Sequence, residues 1–526
     1  MVRAFHKPNS TFVDAIAICI ILIAGIKFTY GLENAVDIGL YDESNYLYNG
    51  VHLLSAGLPH AAYAPLYAIW YFLISLLQPD RIGLYYLNYK LMTILPPILL
   101  YILLRRCKVS LPLSLAVSLF LLVSRIDIGT WPKVSHFALL ICLATLILVS
   151  RVKSFLWTSA LASVGALLVA YVHPEYFLAY LVSLVLVAAA LVKEFRRLTR
   201  RDAAALLAYG LVSVSLLGIL GLPVSADRSF LAFGQHFSLN WVTWTGSSIN
   251  PWDDWEQIVS SNFGGAQTLS QAFFTNPSLV AKHMGDNVRG LVTRPWTLVL
   301  PTLLTPDRTS KAMEAIFILG LPIAYFGNIR RNSVAFQRFL PVLGIFLLPG
   351  LVSAVVIYPE DEILLMICVL MGVLGAVLLG SHAVDPLEMT PKGVLLLGAL
   401  AIALTPYAYG QVHASRPILS TIRFLQSLSI KTRVNLLEED GGYNIYLSNN
   451  YHWVAGYNKA EGFDQFLSDN HINMIVVSSD LSGDTRYQDD PEWEAFLADY
   501  PSLGYVEMGI PNSKSKLIAR RDLLSP

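Results

Sequence analysis

Residues 203–222 read AAALLAYGLVSVSLLGILGL, twenty positions without a charged side chain, directly after the basic stretch RRLTRRD at 196–202. A helix rises about 1.5 Å per residue, so such a run crosses a hydrocarbon layer about 30 Å thick. Lysine and arginine collect on the cytoplasmic side of membrane spans. The stretch therefore predicts a transmembrane helix that starts inside.

Ten further apolar runs follow the same pattern, at 12–30, 85–104, 110–124, 136–150, 157–172, 176–192, 312–327, 339–357, 363–380 and 394–410. The chain is 55% hydrophobic and only 14% charged, and its mean hydropathy is +0.53. A soluble domain is about 25% charged, so these values exclude a soluble enzyme and a disordered chain. Lys plus Arg and Asp plus Glu are 37 each. With no net charge there is no basic field to hold phosphates, and nucleic acid is not an expected partner. Cys19, Cys107, Cys142 and Cys368 have no CxxC spacing and read as small core side chains.

Charge sets the orientation. Arg105, Arg106 and Lys108, then Arg151 and Lys153, then the 193–201 cluster, then Arg330, Arg331 and Arg338, then Lys392 occupy alternate loops, whereas 31–62 holds no Lys or Arg. The first run lacks a cleavage site and reads as a retained signal-anchor. The N-terminus is expected inside and 31–62 outside. Only one crossing fits between 31–62 and Arg105, so the aromatic run 63–78 (YAPLYAIWYFLISLLQ) is expected to lie at the outer interface. The expected fold is an all-α polytopic bundle of about eleven transmembrane helices plus an interfacial helix, covering 1–410. A small external α/β domain follows at 411–526, where the strand-like INMIVVSS (472–479) precedes the helical PEWEAFLADY (491–500). Segment 223–311 is a long external loop, rich at its start in rings (Phe230, Phe233, Phe237, Trp241, Trp244, Trp252, Trp255) that suit a membrane interface.

Polar chemistry falls on the outer side. The external loops carry Asp42-Glu43, then Arg125-Ile126-Asp127 with Lys133, then His173-Pro174-Glu175, then Tyr358-Pro359-Glu360-Asp361-Glu362. Clustered carboxylates repel and need cations, shared protons or separation. Such a group suits general-base or metal-assisted chemistry. Each piece also has a plainer role: a solvated loop pair, a helix cap, an Asp127–Lys133 ion pair, a His173–Glu175 pair, or a wet helix end.

The order of these features resembles the GT-C polytopic glycosyltransferases, particularly the protein O-mannosyltransferases and the lipid A aminoarabinose transferases. YDESNYLYNG (41–50) places Asp42 and Glu43 where that superfamily has an acidic pair. AYAPLYAIWYFLISLL and LNYKLMTILPPILLYILLRR are similar to its next two segments, with Lys90 where arginine is usual. SRIDIGTWPK supplies Arg125 and Asp127, and AYVHPEYFLAYL supplies His173-Pro174. YPEDEILLMICVLM has the position of the late R-Y pair without its arginine.

The resemblance implies transfer of a sugar from a polyprenyl phosphate to a hydroxyl of a glycan, lipid or protein acceptor on the external face. Asp42 or Glu43 is the expected general base, with Asp42 favoured because it aligns with the first acid of the family pair. Donor contacts are expected from Lys90, Asp127, His173, Glu175, Tyr358 and Glu360. Glu43, Asp127 and Glu175 are candidate ligands for a divalent cation, magnesium or manganese. No nucleotide cofactor is expected, since the donor arrives through the lipid and no glycine-rich phosphate loop is present. The expected location is a prokaryotic plasma membrane. Two other classes remain open: a transporter or lipid flippase, against which the lack of an internal repeat counts, and a non-enzymatic assembly subunit.

Overall fold

The computed structural model describes residues 10–252, 254–299, 334–380, 391–407, 416–439 and 441–524. The expected span 312–327, with Arg330 and Arg331, lies outside the described residues. The chain is mostly helical and forms two compact units. The first comprises 1–28, 58–69 and 90–406, and the second comprises 29–57, 70–89 and 407–526.

Among the described residues, six helices rather than eleven are long and apolar enough to cross a membrane unaided: Thr11–Asn34, Arg81–Arg106, Pro174–Glu194, Arg200–Leu220, Phe339–Val356 and Asp361–Leu378. Four other expected spans are helices of 13 to 16 residues, Leu111–Val123, Val134–Val149, Phe155–Ala170 and Pro391–Leu404. At about 1.5 Å per residue they fall short of 30 Å. The aromatic run contributes an eleven-residue helix, Pro65–Ser75, also too short to span.

In the first unit, α1 (Ser10–Phe28) packs on the Pro391–Leu404 helix through Val13, Ala17, Ile20 and Val394. Approach is close because Gly398 has no side chain there; a Cβ would meet Ile20 Cδ1 at 2.2 Å. Small residues serve this purpose between helices in lipid. Asp14 accepts bonds from Tyr101 Oη (2.7 Å) and Arg105 Nε (2.8 Å), which neutralises a carboxylate inside an apolar helix. The Arg200–Leu220 helix starts with a capping box, Thr199 and Asp202 serving each other's end. Almost none of its apolar surface is covered by the chain, and Leu207, Val214 and Ile219 point outward. Lipid is the solvent that tolerates such a surface.

Residues 226–299 are not an open loop. They form helices Ala226–Thr245, Trp255–Phe263, Leu269–Thr275 and Pro277–Val299. Phe230, Phe233, Phe237 and Phe263 fill the core between them. This corrects the interfacial placement of those rings: 230, 233 and 237 follow helical spacing and turn to one buried face. Trp252 remains half exposed.

The second unit is built on a five-stranded sheet of order β2-β1-β3-β5-β4, where β1 is Val434–Glu438, β2 Tyr451–Ala455, β3 Met474–Val477, β4 Tyr505–Gly509 and β5 Lys516–Arg520. β1 runs parallel to β2 and β3, and β5 runs antiparallel to β3 and β4. Phe463, Phe466, Trp493 and Phe496 cover one face with Leu437, Ile475 and Ile518. The unit differs from a cut at 410/411 because early segments are sewn into it. Asp37 accepts from the backbone N–H groups of Ile418 (3.0 Å) and Leu419 (2.8 Å). Ser44 Oγ meets Tyr446 Oη at 2.7 Å, and Arg81 donates to the carbonyl of Ile445.

Candidate functional site

Of the expected residues, Asp42 and Glu43 belong to the second unit. Lys90, Asp127, His173, Glu175, Tyr358 and Glu360 belong to the first.

Asp42 and Glu43 open the helix Asp42–Val51, where the amino end favours negative charge. Tyr41 precedes them at φ +63°, a backbone region costly for a residue with a Cβ. The two acids differ sharply. Asp42 is exposed. Glu43 is 1% exposed; its Oε1 accepts from Tyr71 Oη and from Asn88 Nδ2 at 2.9 Å. Trp70 Nε1 donates to Asn88 Oδ1 at 2.8 Å and fixes that amide. Glu43 is thus a satisfied buried acid, and Asp42 is the one a substrate can reach.

In the first unit the acidic triplet 360–362 divides its charges. Glu360 Oε1 lies 2.5 Å from His236 Nε2, Asp361 Oδ1 3.4 Å from Arg294 Nη2, and Glu362 Oε2 3.8 Å from His173 Nε2. Each carboxylate of a crowded run faces its own basic group, which offsets the repulsion expected of neighbours. Ser135 Oγ donates to Glu362 (2.8 Å) and lies 2.9 Å from His173 Nε2, while His173 Nδ1 lies 2.9 Å from Glu175. Both ring nitrogens of His173 therefore face acceptors. The structure brings together His173 and Glu175 as expected and adds Ser135 and Glu362 to them.

His236 was missed by sequence reasoning. Its Nδ1 lies 2.7 Å from the carbonyl of Ala232. Its ring stacks on Tyr358 at 5.3 Å, with Trp252 edge-on at 5.6 Å, and Arg294 lies over the other ring, Tyr358, at 5.1 Å. The only sequence signal was a histidine one position from the Phe233 and Phe237 stripe. Burial lowers the affinity of His236 for its proton, but the bond and charge of Glu360 outweigh that and raise it above the ordinary value of 6.5. A raised native value stabilises the fold fully below the unfolded value and loses that contribution as pH rises through the native one. The Glu360→Gln variant should therefore melt furthest below wild type at about pH 5.5, and the gap should narrow towards about pH 8.5, in thermal melts across that range. A gap independent of pH would contradict the pairing.

Asp127 is not open to the outside. Asp127, Lys133 and His136 are each 0% exposed. Lys133 Nζ donates to the carbonyl of Asp127 at 2.6 Å, and His136 Nε2 lies 3.2 Å from Asp127 Oδ1. The backbone N–H of Asp127 is capped by Ser124 Oγ. Burial raises the Asp127 carboxyl above its ordinary range, against the pull of Lys133. The knot holds the turn that leads into Ser135. Lys90 is half-buried on the Arg81–Arg106 helix. Among the described residues no group of three or more His, Cys, Asp or Glu is placed to hold a metal ion. Of the three expected ligands, Glu43 is bonded to Tyr71 and Asn88 and Glu175 to His173, whereas the buried carboxyl oxygens of Asp127 accept no hydrogen bond among the described residues.

No family model matches the chain, and no curated protein matches it.

Proposed function

We propose that the protein is a membrane glycosyltransferase of GT-C type that moves a sugar from a polyprenyl-phosphate donor to an acceptor hydroxyl on the external face of a prokaryotic plasma membrane. The observation that carries this is the split between two adjacent acids at one helix start, Asp42 exposed and Glu43 buried in hydrogen bonds. An exposed carboxylate on a fixed support is what a general base requires.

Asp42 takes the proton of the acceptor hydroxyl. The freed oxygen attacks the anomeric carbon, the bond from that carbon to the phosphate oxygen breaks, and polyprenyl phosphate leaves with the electron pair. A basic side chain or a divalent cation meets that charge. The proposed topology keeps eleven crossings. It counts the four shorter helices, which thinner lipid accommodates, together with 312–327, and leaves Pro65–Ser75 at the outer interface. The N-terminus is then cytoplasmic and the sheet unit external.

The test is transfer by purified protein in lipid, using a panel of radiolabelled polyprenyl-phosphate sugars and a membrane acceptor extract. Transfer from one donor names the sugar and establishes the enzyme. Folded protein that transfers from none of them turns the assignment to a transporter or an assembly subunit.

A further inference from the structure

A cavity of about 370 Å³ lies in the sheet unit, within the range of small-molecule sites. It begins at the carboxyl end of β3, where Ser478 and Ser479 follow Val477, and extends past Lys516 and Ile518 of β5 and Glu507 of β4 to Leu497 and Tyr500.

Its lining has two characters. Val477, Leu497 and Ile518 make an apolar wall, with the Tyr500 ring beside it. The lining also holds the hydroxyls of Ser478, Ser479 and Ser482 and the Lys516–Glu507 pair, 3.1 Å apart. A sugar ring presents apolar C–H faces and a rim of hydroxyls that both donate and accept, and this lining offers both in turn. Lys516 is matched by Glu507, whereas Lys514 makes no ion pair among the described residues. The cavity therefore carries one surplus positive charge.

We propose that this cavity binds a monosaccharide unit bearing an anionic group, a carboxylate or a phosphate. Lys514 takes the anion, the serines and the Lys516–Glu507 pair take hydroxyls, and Tyr500 with Leu497 takes an apolar face. Binding there does not require the transferase assignment to hold.

The experiment is calorimetric titration of the full-length protein in detergent with glucuronate, glucose 6-phosphate, glucose and inorganic phosphate. Glucuronate or glucose 6-phosphate should bind saturably and more tightly than glucose. Lys514→Ala should weaken that binding about tenfold, as expected for loss of a charge-assisted bond. Lys431→Ala, at the amino end of β1, should leave it unchanged. Lys514 is exposed, so its variant should fold. The proposal is overturned if neither anionic sugar binds, if Lys514→Ala binds as wild type does, or if inorganic phosphate binds as tightly as the sugar phosphate.

Discussion

Replacing Lys133 with methionine should destabilise the protein by roughly 1–3 kcal/mol, the cost of leaving a buried acceptor without its donor. Lys133 is fully buried, and its Nζ donates to the carbonyl of Asp127 at 2.6 Å. Asp127→Asn should melt close to wild type in detergent, because burial already favours the uncharged carboxyl. A Lys133→Met melt equal to wild type would remove the bond to the carbonyl, and an Asp127→Asn melt far below wild type would mean that the carboxylate charge balances Lys133.

Asp42→Asn should lower sugar transfer by about 10²–10⁴, the usual contribution of a general base, with little change in melting. The side chain is exposed, and a charge at a helix start is worth only about 0.3–1 kcal/mol. Glu43→Ala should do the opposite in kind. It removes the buried acceptor that Tyr71 and Asn88 share, at about 1–3 kcal/mol, and should register in the melt. Transfer at the wild-type rate by Asp42→Asn would remove the base assignment, and a Glu43→Ala melt equal to wild type would remove the structural one.

Local features of the fold were readable from local pattern. The uncharged run 203–222 is the helix Arg200–Leu220, INMIVVSS contains β3, and PEWEAFLADY contains the helix Pro491–Asp499. Helix length was less readable, since an apolar run such as 110–124 does not reveal that only thirteen residues of it will coil. The site was legible as residue types and not as partnerships. Nothing near position 43 announces that Tyr71 and Asn88 will close over it. The triplet 360–362 looks like a wet helix end until His236, Arg294 and His173, all distant in sequence, each face one of its carboxylates. Asp127 was the opposite case: its partners Lys133 and His136 are close in sequence, but its complete burial depends on the tertiary packing around it.

The three-piece make-up of the sheet unit sets a timetable for synthesis. Residues 29–57 and 70–89 are translated more than 300 residues before the last piece begins at 407. At a ribosomal pace of about 5–20 residues per second, that interval is roughly 15–60 s. Glu43 can meet Tyr71 and Asn88 early, because all three emerge together. Ser44, Asp37 and Arg81 must wait for Tyr446, the 418–419 amides and the carbonyl of Ile445. The nascent chain therefore carries the Asp42 helix half-supported for most of its birth, and protease sensitivity around 29–57 should vanish only when translation has passed the sheet.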